Sequence, residues 1–535
     1  MTDVGGSNPC DFSRKFDLCI IGSGAAGISI AHKLRNSGLR ICILESSLVN
    51  EPQGLSAELV QRHETTPALA ARAGVAVESV AGWNPDGHRF EDPVAQRLYE
   101  GELSDEMARI DPFFLTRSRI RVYGGTTNCW GGWTRPLSAV DFDRSDLDSR
   151  WKWPITRAEL DPWYREAIKY CALEPLLPNQ YDEPNLWPGF TTTPIAPIQP
   201  KTQGVVSGMF TVMYGESTTR QDGALDFQLV YGPALEAAGV CIERNANVRR
   251  LETNGDGSAV VRVLAQRIDR SGPVPKPGAS FAVEADRYVL ATGGIEGPRL
   301  LLLSRPGGLG NRSGTLGKNF MVHPLTYNAC TFSGDRAVPQ EIRRFYQSWP
   351  GWPIKGLSEP PKFFGTLMPT DQALRDNKIG NFRAILDFDS ESEGRTGRIN
   401  LNWEQGPSSK SQIVLSDNRK DLFGDPLVKL DWRMMELDQK TANQAVRLVI
   451  DELEAQGWVT RSEPQNMQIL PGDHHMGATK MSTHPLSSYV NSDCRLHDVG
   501  NLYVASSSVF TTGGVANPTL TIIALALRLA DHLRA

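Results

Sequence analysis

Long apolar runs are missing from this 535-residue chain. No stretch reaches the ~18 uncharged apolar residues that a membrane helix needs. The most apolar run, Leu520–Leu527, is short and ends at Arg528. Met1–Lys15 is polar and lacks an apolar signal core, so a cytoplasmic rather than an exported protein is expected. Excess basic charge is also missing. The 56 Lys and Arg stand against 61 Asp and Glu, a formal net charge of -5. That opposes a nucleic-acid partner, because a phosphate backbone wants a basic face. The eight cysteines, at 10, 19, 42, 129, 171, 241, 330 and 494, form no C-x-x-C pair. This suits a reducing compartment and offers no zinc site, and no metal is expected. Internal repeats and low-complexity tracts are absent. The composition excludes collagen, coiled coil and bulk disorder.

What is present begins with 49 glycines and 35 prolines, which call for many turns and long connections. Asp17–Ile21 is a short apolar run, read as a buried parallel strand. Gly22-Ser23-Gly24-Ala25-Ala26-Gly27 follows at once. Ile28–Asn36 then has helical spacing and Arg40–Leu44 reads as a second strand, closed by Glu45. A G-x-G-x-x-G between strand and helix is the dinucleotide fingerprint. Gly22 permits the tight turn, Gly24 lets the backbone approach a pyrophosphate, and Gly27 allows close helix–strand packing. The anion would sit on the free N–H groups of the helix start. Glu45 is placed for the ribose hydroxyls and disfavours a 2′-phosphate. At this point FAD and NAD both remain open.

Residues 50–110 are irregular and read as a lid or an interdomain crossing, with a plain surface insertion as the alternative. Arg287–Thr292 reads as a further strand, ending in Gly293-Gly294. Residues 330–470 look antiparallel, with alternation in Ile399–Trp403, Gln412–Ser416 and Leu427–Trp432. A helix over Asp438–Glu454 carries Ala442, Ala445, Val446, Val449, Ile450 and Leu453 on one face.

The last 65 residues are the most informative. They contain Asp473-His474-His475-Met476-Gly477-Ala478-Thr479-Lys480-Met481, then Asn501–Phe510, then Ala516-Asn517-Pro518-Thr519-Leu520. With Gly22–Gly27 and the cluster Gly124–Trp133, this resembles the glucose–methanol–choline (GMC) oxidoreductase family. The resemblance covers both ends and several internal segments, and is weaker over 50–110 and 140–205. It implies an α/β fold of the p-hydroxybenzoate-hydroxylase type. A Rossmann-type FAD domain (1–48, 115–140, 205–325, 471–535) would interleave with an α+β substrate domain on an antiparallel sheet (141–204, 326–470).

The resemblance also implies an FAD enzyme oxidising alcohols. His474 matches the histidine that opens the family's H-x-x-G-x-x-x-M motif, and Asn517 its second site residue. Neutral imidazole suits removal of a hydroxyl proton, and an amide can hold the developing alkoxide. The flavin takes the hydride. Pro518 and Thr519 follow Asn517 at the cofactor. Val248 matches the position whose backbone contacts the adenine, and Glu45 the ribose acid. Ser506 stands where the family often has Asp, and can still donate to a cofactor oxygen. Gly125, Thr126, Asn128 and Cys129 match the segment through which one branch attaches FAD by a histidine. Cys129 stands in that place, so dissociable FAD is expected. His323 and His475 are read as structural, with His475 pointing away.

The Gly125–Leu137 segment and the tail look like the sugar-oxidising bacterial side of the family. The implied substrate is a polyol or sugar, with the primary hydroxyl of an amino-sugar glycoside as first choice. An aldehyde so formed could go on to an acid. The electron acceptor, oxygen or another carrier, and the oligomer stay open. Trp349, Trp352 and Trp403 could stack on sugars, and Asp387, Asp389, Glu391, Glu393 and Glu404 could receive ammonium groups. The alternatives are a glycoside 3- or 2-oxidase giving a keto sugar, a hydroxynitrile-lyase-type protein that keeps FAD without using it, and a non-catalytic flavoprotein.

Overall fold

The computed structural model describes residues 10–46, 101–112, 114–119, 121–128, 130, 132–171, 173, 197–212, 225–269, 271, 275–346 and 363–534. Most of the expected lid (50–110), Cys129, Trp349 and Trp352 lie outside them.

Phe16–Ile21 is apolar except at Asp17, and four consecutive residues, Leu18–Ile21, are buried. Such a run suits the middle of a parallel sheet covered on both faces. It forms that strand. The five-stranded order is Leu502–Val504, Ala285–Leu290, Phe16–Ile21, Ile41–Leu44, Cys241–Glu243. Every pairing in it is parallel. The helix Ala25–Leu34 follows the first strand, and the C-terminal helix Thr519–Arg534 packs against it. The C-terminal helix buries Leu520, Ile523, Leu525, Leu527, Leu529 and Leu533, each worth about 1.5–3 kcal/mol of apolar burial. Its start is anchored by a 2.7 Å bond between the buried hydroxyls of Tyr164 and Thr521.

A second sheet of seven strands is antiparallel throughout. Its order is Arg461–Pro464, Leu325–Ser333, Thr396–Trp403, Phe382–Phe388, Phe363–Pro369, Val205–Val212, Trp133–Thr134. The helix Glu436–Ala455 covers it with the expected face, Ala442, Ala445, Val446, Val449, Ile450 and Leu453 all being buried. Two three-stranded sheets complete the described strands. One joins Gln412–Lys420, Pro426–Asp431 and Gly101–Leu103; the other is a meander over Asn247–Thr253, Val260–Asp269 and Lys276–Val283.

Two expectations need correcting, and one pairing could not be foreseen. Val205–Val212 and Trp133–Thr134, in segments expected in the FAD domain, pair within the antiparallel sheet. An isolated strand gives no sequence sign of which sheet it joins, because pairing is non-local. Trp403 is fully buried in the main core, so its ring cannot stack on a sugar. Cys10 and Cys241 form a disulfide across 231 residues, so the cysteines are not all reduced thiols. No local spacing could announce that bond.

Two short bridges position the centre of the molecule. Met321 pairs with Met476 and Leu325 with Leu470, antiparallel. This register lays Asp473–His474 beside His323, immediately before the strand Leu325–Ser333. Close by, Gly294 at the start of the helix Gly293–Ser304 packs on the backbone of His475. The turn after the parallel strand Ala285–Leu290 and the start of the antiparallel strand Leu325–Ser333 therefore meet beside His474.

Candidate active site

The nucleotide fingerprint forms as its spacing implies. Gly22 has φ +100°, and a Cβ there would lie 2.6 Å from the Ala291 carbonyl oxygen. A Cβ on Gly27 would lie 2.1 Å from the Gly22 carbonyl oxygen. Both positions have no room for a side chain. Gly24 differs, because a Cβ there would meet nothing within 4 Å. Gly24 is also the N-cap of the helix Ala25–Leu34, which has no side-chain cap. Glu45 is buried at the end of its strand and accepts from the Ser23 backbone N–H at 3.2 Å and from the Ser23 hydroxyl. Gly125, in the short turn Gly125–Asn128, packs its α-carbon side against Gly24, and Gly124 N–H reaches the Ser23 hydroxyl at 3.4 Å. Thr126 in that turn is exposed.

The second constellation is a line of hydrogen bonds. Arg383 Nη1 donates to Asn517 Oδ1 at 2.7 Å. Asn517 Nδ2 lies 3.3 Å from His474 Nε2. His474 Nδ1 lies 2.8 Å from His323 Nδ1, and His323 Nε2 lies 3.2 Å from the Gly513 carbonyl. Arg383 also donates from Nε to Asn402 Oδ1 at 3.2 Å. Its guanidinium sits 4.4 Å from the centre of the Phe210 ring, with the Arg135 guanidinium 5.4 Å from the same ring.

The electrostatics of this line favour neutral imidazoles. His474 is partly open, yet the protein around it pushes its pKa well below the ordinary value of 6.5, helped by His323, Arg383 and His475. Burial, then the Arg383 cation, brings His323 down to about 3. Burial lowers Arg383 itself to about 9, with repulsion from Arg135 adding to it. Desolvation penalises the charged form of each group.

Comparisons with known proteins point to one family. Residues 200–325 and 407–526 match the N- and C-terminal models described as GMC oxidoreductase. The chain belongs to the GMC oxidoreductase family. The 2-methyl-1,2-propanediol dehydrogenase of Mycolicibacterium austroafricanum is 25% identical, over 97% of this chain and 95% of that protein. The fructose dehydrogenase large subunit of Gluconobacter japonicus is 25% identical over 97% of each. Among solved structures, a formate oxidase superposes with a TM-score of 0.57 at 16% identity, covering 97% of this chain and 98% of that one.

This GMC oxidoreductase is an FAD-dependent enzyme acting on CH–OH groups. Its residues fit the cofactor. Of the three fingerprint glycines, the one with open space beside it is Gly24, where a pyrophosphate would approach an uncapped helix start. Thr292 Oγ1, at the turn packed on Gly22, is a buried hydroxyl without a hydrogen-bond partner among the described residues. Val248 lies in the strand Asn247–Thr253, whose neighbour Ala246 donates its N–H to the Glu45 carbonyl at 2.8 Å. Ser506 lies two residues beyond the strand Leu502–Val504, and its hydroxyl accepts from Ser508 N–H at 3.2 Å. Asn517, Pro518 and Thr519 lead into the C-terminal helix.

Sequence reasoning missed two members of the line in this GMC oxidoreductase. His323, read as structural, is bonded directly to His474. Arg383 was not singled out, although an arginine inside the otherwise apolar run Phe382-Arg383-Ala384-Ile385-Leu386 is a signal, since a buried cation needs a purpose. His475 does point away. Its ring packs between Phe114 and Phe320, and its Nε2 lies 2.8 Å from the Ser118 hydroxyl. The acids offered for ammonium groups do not gather at His474. Asp387 pairs with Arg398 at 2.7 Å, Glu391 and Glu393 lie in an exposed turn, and Glu404 accepts from the Gly514 and Asn381 N–H groups.

Proposed function

We propose that this enzyme oxidises a hydroxyl of a carbohydrate or related polyol, with His474 as the base and Asn517 as the amide that holds the developing alkoxide. The observation that carries the reading is the 3.3 Å pair of His474 Nε2 and Asn517 Nδ2, one a proton acceptor and the other a donor. A hydroxyl oxygen set between them gives its proton to His474 and keeps a hydrogen bond from Asn517 as charge builds. FAD, when bound, supplies the hydride acceptor. A non-catalytic flavoprotein has no need of such a pair.

The carbohydrate assignment draws on relatives. Besides the fructose dehydrogenase, paromamine 6'-oxidase of Streptomyces fradiae is 24% identical over 97% of this chain. Arg383 bonds Asn517, Arg135 shares the Phe210 ring with it, and the acidic run does not reach the pair. This favours a neutral sugar or polyol over the ammonium-bearing glycoside expected first. In this reading the part built on the parallel sheet holds FAD, and the antiparallel sheet forms the substrate wall. FAD is held without a covalent bond and should leave with the supernatant on denaturation.

The test is anaerobic bleaching of the flavin by D-fructose, 2-methyl-1,2-propanediol and paromamine in parallel, followed by admission of air. Bleaching by D-fructose or another neutral sugar supports the reading. Bleaching by none of the three rejects it. An aldehyde product marks a primary hydroxyl and a ketone a ring hydroxyl. Rapid recovery in air marks oxygen as the acceptor.

A further inference from the structure

We propose that Arg383 is a positioning residue: by donating to the Asn517 carboxamide oxygen, it turns the amide NH2 toward His474 and so, together with the Gly513 carbonyl at the far end, fixes which His474 nitrogen takes the proton. The proposal rests on the reading of His474 as the base.

The argument is one of hydrogen-bond polarity. Arginine has only donors, and a backbone carbonyl has only acceptors. The line running from Arg383 through Asn517, His474 and His323 to Gly513 thus ends in a donor on one side and an acceptor on the other. Only one set of directions satisfies every link. His323 Nε2–H donates to Gly513, so His323 Nδ1 carries the lone pair. His474 Nδ1–H donates to it, so His474 Nε2 carries the lone pair. Asn517 Nδ2–H donates to that nitrogen, leaving Oδ1 to accept from Arg383.

Turning the amide over breaks the line at both ends. Its NH2 would face the guanidinium, donor on donor. Its oxygen would require a proton on His474 Nε2. The two rings would then change tautomer together, and His323 would present a lone pair to the Gly513 oxygen. Buried mismatches of this kind are strongly disfavoured. The guanidinium itself is held in place by Asn402 on the neighbouring strand and by the Phe210 ring. It therefore reaches Asn517 in one orientation. The His474 Nε2 lone pair, which accepts from Asn517 here, faces the place where the substrate hydroxyl must lie.

Arg383 acts by charge as well. The groups that bear on His474 are His323, His475 and Arg383, with Arg135 bearing on Arg383. Removing the Arg383 cation lets the His474 pKa rise, so the acid limb of the rate moves to higher pH. Lysine at 383 keeps charge and donor; glutamine keeps a donor without charge.

The test uses the holoenzyme labelled with 15N at histidine, with His474 signals assigned by their loss in His474→Ala. In the wild type, Nδ1 of His474 should report as protonated and Nε2 as a lone pair. Arg383→Met should give mixed or inverted tautomers, with FAD content unchanged. Its anaerobic flavin reduction should fall by about 100-fold, with KM within about threefold. Arg383→Gln should restore the wild-type tautomer and at least about tenfold of the rate. A wild-type tautomer in Arg383→Met, or an Arg383→Gln spectrum no closer to wild type, overturns the proposal. The base reading fails separately, if His474→Ala reduces its flavin at the wild-type rate. The tautomer readout still decides the role of Arg383 in that case.

Discussion

Gly294 and His475 are in backbone contact: a Cβ on Gly294 would lie 2.2 Å from the His475 carbonyl oxygen. The helix Gly293–Ser304 thus buttresses the segment that carries His474. Gly294→Ala should push that segment away while leaving the fingerprint intact. The expected result is a loss of roughly 100-fold in flavin reduction with normal FAD content, because misplacement of about 1 Å is costly. Full activity in Gly294→Ala would show that the contact is not a constraint.

His474→Ala should keep FAD and lose reduction by the ~10²–10⁴-fold that a general base supplies. Asn517→Ala should lose less, about 10²–10³-fold, since it removes one donor to the alkoxide. Stopped-flow bleaching without oxygen measures both. Equal, small losses in the two variants would contradict the division of roles.

The pH dependence has a definite sign. His474 must be neutral to accept a proton, and its pKa is depressed well below 6.5 by burial, then by His323, Arg383 and His475. The acid limb of kcat/KM should therefore lie below the range of an exposed histidine, and the rate should be flat across pH 6.5–8. An inflection at or above 6.5 would mean that the base keeps its solution pKa.

Acid stability follows from a different cluster. Glu296 is paired with Arg119 at 2.5 Å, Arg121 at 2.7 Å and Arg299 at 3.3 Å. Desolvation raises its pKa, but Arg121, Arg119 and Arg299 outweigh it and bring the carboxyl to about 2 from 4.5. A folded-state pKa below the unfolded value gives stability that is present above pH 4.5 and lost as pH falls toward 2. Glu296→Gln removes the carboxylate that Arg119, Arg121 and Arg299 share, although Arg299 keeps Asp421 at 2.7 Å, and should destabilise by about 3–5 kcal/mol. It should also flatten the acid-unfolding curve. A melting temperature within a degree of wild type at neutral pH would refute this.

Glu45→Ala removes the buried carboxylate at the end of Ile41–Leu44 and leaves Ser23 without its acceptor. FAD affinity should drop by at least tenfold, about the value of one charged hydrogen bond. Fluorescence titration of the stripped protein with FAD measures it.

The sequence makes local features legible and non-local ones opaque. Strand, turn, helix and acid over Phe16–Glu45 lie within one βαβ unit, so period and glycine spacing suffice. The helix Glu436–Ala455 shows its buried face by periodicity alone. His474 and Asn517 emerge because their motif carries them, though 43 residues separate the two. Arg383 and His323 have no such motif. Their place depends on strand register, with Arg383 opposite Asn402 and His323 carried in by the bridges at Met321 and Leu325. The sheet membership of Val205–Val212 and the Cys10–Cys241 bond are hidden for the same reason.

The position of Leu502–Val504 beside Ala285–Leu290 has a consequence for the order of events in synthesis. The parallel sheet is not complete until one of its border strands, near the very end of the chain, has been made. Asn517 and the helix that covers Ala25–Leu34 come later still. Contacts spanning nearly the whole length slow folding, since long loops must close before they are rewarded. A nascent chain stalled before residue 500 should therefore hold no flavin.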